Sequence, residues 1–199
     1  MVIANILGIF ILFYFFWKRL KDDYQYEKIF NLAFVVLFGY LIGYLASRYV
    51  DRNFWFWTQL AGIMLGFAVG IKRLKMKFFE TFEALVIGTL PWISIVFLAD
   101  SINKSSLSSF LAFWITSICI FIFFFVSARY RTFTWYKSGR VGFAGLVALQ
   151  LFFVFRLVAS IFFQNVISLA GKFEVYLSAS VLLIVFLLIM NLCLLMKMP

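Results

Sequence analysis

Residues 110–128 read FLAFWITSICIFIFFFVSA, 19 positions without a charged side chain. Between 118 and 126 the apolar groups leave no polar face, whatever period the chain adopts. A helix of roughly 20 such residues crosses the ~30 Å hydrocarbon core of a bilayer. Lipid offers the backbone no water to bond, so a spanning segment is a helix or part of a closed barrel. A barrel strand alternates apolar and polar positions over about ten residues. This run does not alternate, so it predicts a transmembrane helix.

Six further stretches have the same character: 2–17, 29–47, 53–71, 84–99, 141–163 and 174–196. The first and fourth are short, which implies little tilt or recruitment of flanking residues into the interface. The whole chain agrees with its parts. Of 199 residues 65% are apolar, 22% aromatic and 13% charged, against near half apolar and a quarter charged in a soluble domain. That composition excludes a water-soluble globular domain, a disordered chain and a secreted disulfide scaffold. No Pro-, Gly- or Ser-rich linker divides the sequence. The expected fold is all-α: one polytopic membrane helix bundle over 1–199 with seven transmembrane helices.

The net charge of +10 takes its meaning from position. Lys18, Arg19, Lys21 and Lys28 lie between the first two spans. Lys72, Arg73, Lys75 and Lys77 follow the third, and Arg129, Arg131, Lys137 and Arg140 follow the fifth. With Lys197 these make thirteen cations on one side, against Arg48, Arg52, Lys104 and Lys172 on the other. Basic loops stay in the cytoplasm, so the N-terminus is expected outside and the C-terminus inside. The same cations cushion anionic headgroups, each worth about 1 kcal/mol near the surface. Nucleic acid is not an expected partner. The N-terminal apolar run precedes its positive charge and lacks a small-x-small cleavage site, so it reads as a retained span.

Small residues four apart let helix backbones approach in lipid. Gly39 and Gly43 in the second span and Gly62, Gly66 and Gly70 in the third have this spacing, and the sixth span carries Gly142 and Gly145 three apart. Interior packing is the plain reading; room for a lipid or peptide is the functional one. Pro91 inside the fourth span frees a carbonyl and predicts a kink. Tyr14 with Trp17, Trp55 with Trp57, and Trp135 with Tyr136 sit near span ends and read as interface anchors. Cys119 and Cys193 lie in apolar surroundings and read as buried, inert thiols.

Few groups are left for chemistry. The chain has no His, and its two Cys are not at metal-ligand spacing, so neither a metal nor another cofactor is expected. No Ser, His and Asp set can form, and no glycine-rich phosphate loop is present. Arg156 stands out. It lies about four residues past the middle of the sixth span, roughly 6 Å from the midplane at ~1.5 Å per residue. An Arg within a span usually faces the bundle interior or a wet cavity. At 100° per residue, Gly142, Gly145, Leu149, Phe152, Arg156 and Ser160 share a face. A guanidinium on that face could hold a phosphate bidentately. It could equally pair with Asp100 or Glu174, or snorkel. Gln59 and Gln150, also within spans, are candidate ligand supports or interhelical bridges. Glu80 and Glu83, beside the basic turn 72–77, read as surface ion pairs.

Three stretches resemble the bacterial prolipoprotein diacylglyceryl transferase family, whose members are N-out, seven-helix membrane proteins. Residues 27–50, EKIFNLAFVVLFGYLIGYLASRYV, are similar to its second helix. Residues 59–91, QLAGIMLGFAVGIKRLKMKFFETFEALVIGTLP, resemble its glycine-rich helix, basic turn and following helix, with Glu83 where the family prefers Asp. Residues 137–156, KSGRVGFAGLVALQLFFVFR, resemble the start of its penultimate helix, whose Arg matches Arg156. Elsewhere the patterns part. Gln59 or Leu60 stands where the family has His, Phe97 where it has an Arg, and Ser160 where it has a Glu. The outer segment 100–109 is short.

The resemblance implies transfer of a diacylglyceryl group from phosphatidylglycerol to the lipobox cysteine thiol of a lipoprotein precursor, with glycerol phosphate leaving. Arg156 would hold the lipid phosphate, and Gln59, Gln150 and Ser160 would be neutral supports; no catalytic acid or base is assigned. The implied partners are an anionic phospholipid and a lipoprotein signal peptide, in the cytoplasmic membrane of a bacterium. A lipid-binding or scaffolding relative without the chemistry is the alternative, and a small transporter the third. Paired broken helices and internal repeats mark transporters; only Pro91 hints at a break.

Overall fold

The computed structural model describes residues 2–49, 54–130, 141–162, 169 and 173–194. Among these there are seven α-helices and no strand: α1 (Val2–Leu20), α2 (Tyr26–Tyr49), α3 (Trp55–Leu74), α4 (Phe78–Lys104), α5 (Leu107–Arg129), α6 (Phe143–Phe162) and α7 (Phe173–Leu194). Six of them are long and apolar enough to cross a membrane. The exception is α3, where Trp55, Trp57, Gln59 and the three glycines dilute the aliphatic residues. Arg52, Arg131, Lys137, Arg140, Lys172, Lys197, Trp135 and Tyr136 lie outside the described residues. For orientation, the end where α2, α4 and α6 finish is termed the upper end.

The fourth helix departs most from its expected bounds. The sequence predicts a short span at 84–99, whereas α4 covers 27 residues and is the longest of the seven. It runs unbroken through Pro91. The extra turns carry charges that are satisfied rather than excluded: Glu80 and Glu83 at the start, Asp100 and Lys104 at the end. Tight turns bound it. Lys75 and Ser105 adopt left-handed backbone (φ 54° and 49°) just after α3 and α4. Ser106 then caps α5, its hydroxyl accepting from the Ser109 N–H.

The core is built around α4, which packs on α1, α5 and α6 and buries most of its middle, Thr81 to Gly88 and Leu90 among them. The other helices present large apolar side chains outward, such as Phe10, Phe34, Phe38 and Phe121. This is the arrangement expected where the solvent is lipid.

α2 and α3 form a hairpin held by bare backbone. A Cβ added at Gly39 would stand 2.2 Å from the Gly62 carbonyl oxygen, and one at Gly43 2.4 Å from that of Thr58. Only glycine allows this approach, so the interior-packing reading of these glycines is the one the contacts support. The hairpin leans on α1 through α2. At the lower end Phe67 of α3 meets Phe78 and Phe82 of α4.

Glu83 corrects an expectation. Glu80 does make the expected surface pair, its Oε1 2.9 Å from Lys77 Nζ, and it also accepts from the Tyr24 hydroxyl. Glu83 is instead 1% exposed. It pairs with Arg19 of α1 and accepts from the Gly142 N–H at 2.6 Å, at the start of α6. Helix N-termini present unpaired N–H groups and a partial positive charge, which is why a carboxylate is stable there. Gly142 has φ +122°, and a Cβ at Gly145 would press on Glu83 at 3.0 Å, so both positions need glycine for this contact.

The aromatic anchors divide. Tyr14 and Trp17 are exposed near the lower end, with Lys18 and Lys21 over their rings at 5.5 and 5.2 Å. Trp55 and Trp57 turn inward instead, the first into a cavity and the second onto Glu174. Both cysteines are free thiols, Cys119 buried and Cys193 partly so.

Candidate functional site

Arg156 lies on the inner face of α6, one turn beyond Phe152. Its Nε donates to Glu174 Oε1 at 2.5 Å, and the two side chains are 3% and 0% exposed. The Glu174 carboxylate also accepts from Trp57 Nε1 at 2.8 Å and from the Ser178 hydroxyl at 2.8 Å. The guanidinium lies over the Phe56 ring, 3.6 Å from its centroid, with Trp57 5.5 Å away. Removing two ions from water is costly unless their remaining donors and acceptors are met. Here the carboxylate is met from α3, α6 and α7, and the cation also faces two π surfaces. Of the roles the sequence left open for Arg156, pairing with Glu174 is the one the structure displays. Asp100 is engaged elsewhere, by Ser109 at 2.6 Å and Lys104 at 3.1 Å.

The other candidates are spread out. Ser160 is buried and donates to the Leu157 carbonyl of its own helix at 2.6 Å. Gln150 is partly buried, and its Oε1 is sealed without a hydrogen-bond partner among the described residues. Gln59 alone of the four lines a large cavity. Arg156 borders a separate, smaller one.

The large cavity holds about 430 Å³, within the ~300–1,000 Å³ usual for ligand pockets. It occupies the gap between the α2–α3 hairpin and α4 with α6. One wall is Tyr40, Tyr44 and Ser47 on α2, spaced i, i+4, i+7 and so on one face. Gln59, Leu60 and Ile63 on α3 continue it. Leu85, Leu90, Ile93 and Phe97 of α4 stand opposite, Leu149, Phe152 and Phe153 of α6 lie beside them, and Asn5 of α1 joins through its bond from Trp92 Nε1 at 3.1 Å. The lining is chiefly apolar. Among the described residues, neither the Gln59 amide nor the Tyr40 hydroxyl finds a hydrogen-bond partner. Polar groups left thus in an apolar chamber favour a ligand that brings donors or acceptors to them.

Tyr44 carries the only guanidinium associated with this wall among the described residues. Arg48 Nη2 donates to the Tyr44 hydroxyl at 2.7 Å and the guanidinium sits 5.1 Å from the ring centroid, in an exposed position. No carboxylate, thiol or amine is among the described lining residues, so the chamber offers hydroxyls, amides and apolar surface. No group of three or more Asp, Glu or Cys among the described residues is placed to hold a metal.

Sequence reasoning missed the tyrosines. The signal was present in GYLIGYLAS, residues 39–47, where each packing glycine is followed by a tyrosine about 100° around the helix. Once the glycines are assigned to α3, the tyrosines must face the neighbouring space. Comparison with protein-family models, curated proteins and solved structures gave no match.

Proposed function

We propose that this chain binds an anionic phospholipid in the cavity between the α2–α3 hairpin and α4, as a multi-pass protein of a bacterial cytoplasmic membrane. In this reading all seven helices span, α3 included, and the N-terminus lies outside. The observation that carries it is the 430 Å³ apolar chamber with the unpartnered Gln59 amide and Tyr40 hydroxyl in its wall. An acyl chain fills the apolar part, and ester or glycerol oxygens meet the two polar groups. Arg48 beside Tyr44 supplies positive charge at the headgroup level.

Native mass spectrometry of the purified protein with phosphatidylglycerol and phosphatidylcholine tests this. Retention of phosphatidylglycerol in preference to phosphatidylcholine is expected. Gln59→Leu should weaken binding about fivefold, one net hydrogen bond of ~1 kcal/mol. Arg48→Gln should cut the preference for the anionic lipid by a similar factor, from roughly 1 kcal/mol per cation at the surface. Equal retention of both lipids by the unaltered protein would overturn the anionic assignment.

A second reading follows the family resemblance: diacylglyceryl transfer to a lipobox thiol, with Arg156 on the lipid phosphate. One feature favours keeping it. Phe56 lines the cavity and carries the Arg156 guanidinium on its ring, so the cation is one ring away from the bound lipid. This reading requires phosphate to replace Glu174 at Arg156. It predicts lipid-dependent labelling of a lipobox peptide that Arg156→Ala abolishes. Lipid retention without labelling leaves the binding reading alone.

A further inference from the structure

Two aromatic side chains belong to both of the cavities described. Phe97 of α4 and Phe152 of α6 line the 430 Å³ chamber, and both also line a second cavity of about 40 Å³ between α4, α5 and α6. Residues that border two cavities are the partition between them. The small one is chiefly apolar, with Ala112 and Ile115 of α5 and Ala159 of α6 in its wall, and Thr116 and Arg156 also border it. Both partition rings are buried.

We infer that Phe97 and Phe152 form a stop that sets the length of apolar chain the large cavity accepts. The inference rests on the lipid-binding reading above and specifies which lipids it favours. An acyl chain gains affinity with each methylene it buries, until its end meets a surface that cannot yield. The partition is such a surface. Phe152 is braced by Phe153 at 5.4 Å and by Phe56 at 6.4 Å between centroids. Phe56 is in turn fixed beneath the Arg156 guanidinium, which is tied to Glu174. The ion pair therefore serves as the backing of a wall, without touching the chain itself. Phe152 is thus held from behind by two ring contacts and, through Phe56, by a matched ion pair. Truncating either ring joins the second cavity to the first and lengthens the space available.

The test uses phosphatidylglycerols with a graded series of chain lengths and one headgroup, with retention read by native mass spectrometry. For the unaltered protein, retention rises with length and then levels off. In Phe152→Ala the levelling point moves to longer chains, with about fourfold tighter retention for each added methylene, the equivalent of ~0.8 kcal/mol. Phe97→Leu opens the same partition from the opposite helix with a smaller loss of volume, and should move the point in the same direction even if Phe152→Ala does not fold. A levelling point unmoved in a folded variant of either kind overturns the stop while leaving lipid binding intact. An unaltered protein that retains no lipid of any length overturns the binding reading, and the stop falls with it.

Discussion

At Arg156 two opposite charges share a site sealed from solvent, and the geometry fixes what losing either one costs. Glu174→Gln keeps the shape and the Trp57 and Ser178 contacts within reach, but leaves the guanidinium without its counter-charge. Breaking a buried pair from one side costs about 3–5 kcal/mol, whereas replacing both partners by apolar groups is often neutral. Thermal unfolding in detergent should therefore show a large drop for Glu174→Gln and recovery in the Arg156→Met, Glu174→Leu double variant. The sequence named Arg156 as the exceptional cation and Glu174 among its possible partners. It could not choose between them, because the choice depends on how α7 is rotated against α6. Gln59 shows the complementary case: its type and depth were legible, and its exposure to a chamber required knowing where α3 stands relative to α4.

Among elements, the α2–α3 hairpin is the most sharply specified. Gly62→Val would place a branched side chain where even a Cβ stands 2.2 Å from the Gly39 carbonyl oxygen. Backbone cannot step aside as a side chain can, so a loss at or above the upper end of the ~1–3 kcal/mol usual for overpacking is expected. Gly70→Ala is the control, since its added Cβ meets the end of Leu32 at 2.5 Å. Unfolding midpoints of the two variants should differ clearly in that order. Glycine spacing marked both faces for close packing in advance, but not that they meet each other. The length of α4 was not readable, because apolar runs end at charged residues while helices do not. Glu80, Glu83, Asp100 and Lys104 belong to α4 because each has a partner there. Hydropathy registers the charge and cannot see the partner.

For the molecule as a whole, alternation of strongly basic and nearly neutral connections predicts opposite placement of consecutive turns. Single cysteines at Lys21 and at Ser105, both exposed turn positions, test it in a background lacking Cys119 and Cys193. A membrane-impermeant maleimide applied to intact cells should label Ser105→Cys directly and Lys21→Cys only after permeabilisation. The reverse pattern overturns the orientation, and labelling of both from one side overturns the alternation. Composition alone made the bundle architecture legible. The chamber was not, since a cavity is a place where helices fail to meet and no single segment encodes it.

Glu83 has a consequence for the integrity of the bundle. Its two ligating groups come from opposite parts of the chain: Arg19 precedes it, and the Gly142 amide follows 59 residues later. One carboxylate therefore ties α1, α4 and α6 together at the lower end, and its removal would release two neighbours at once.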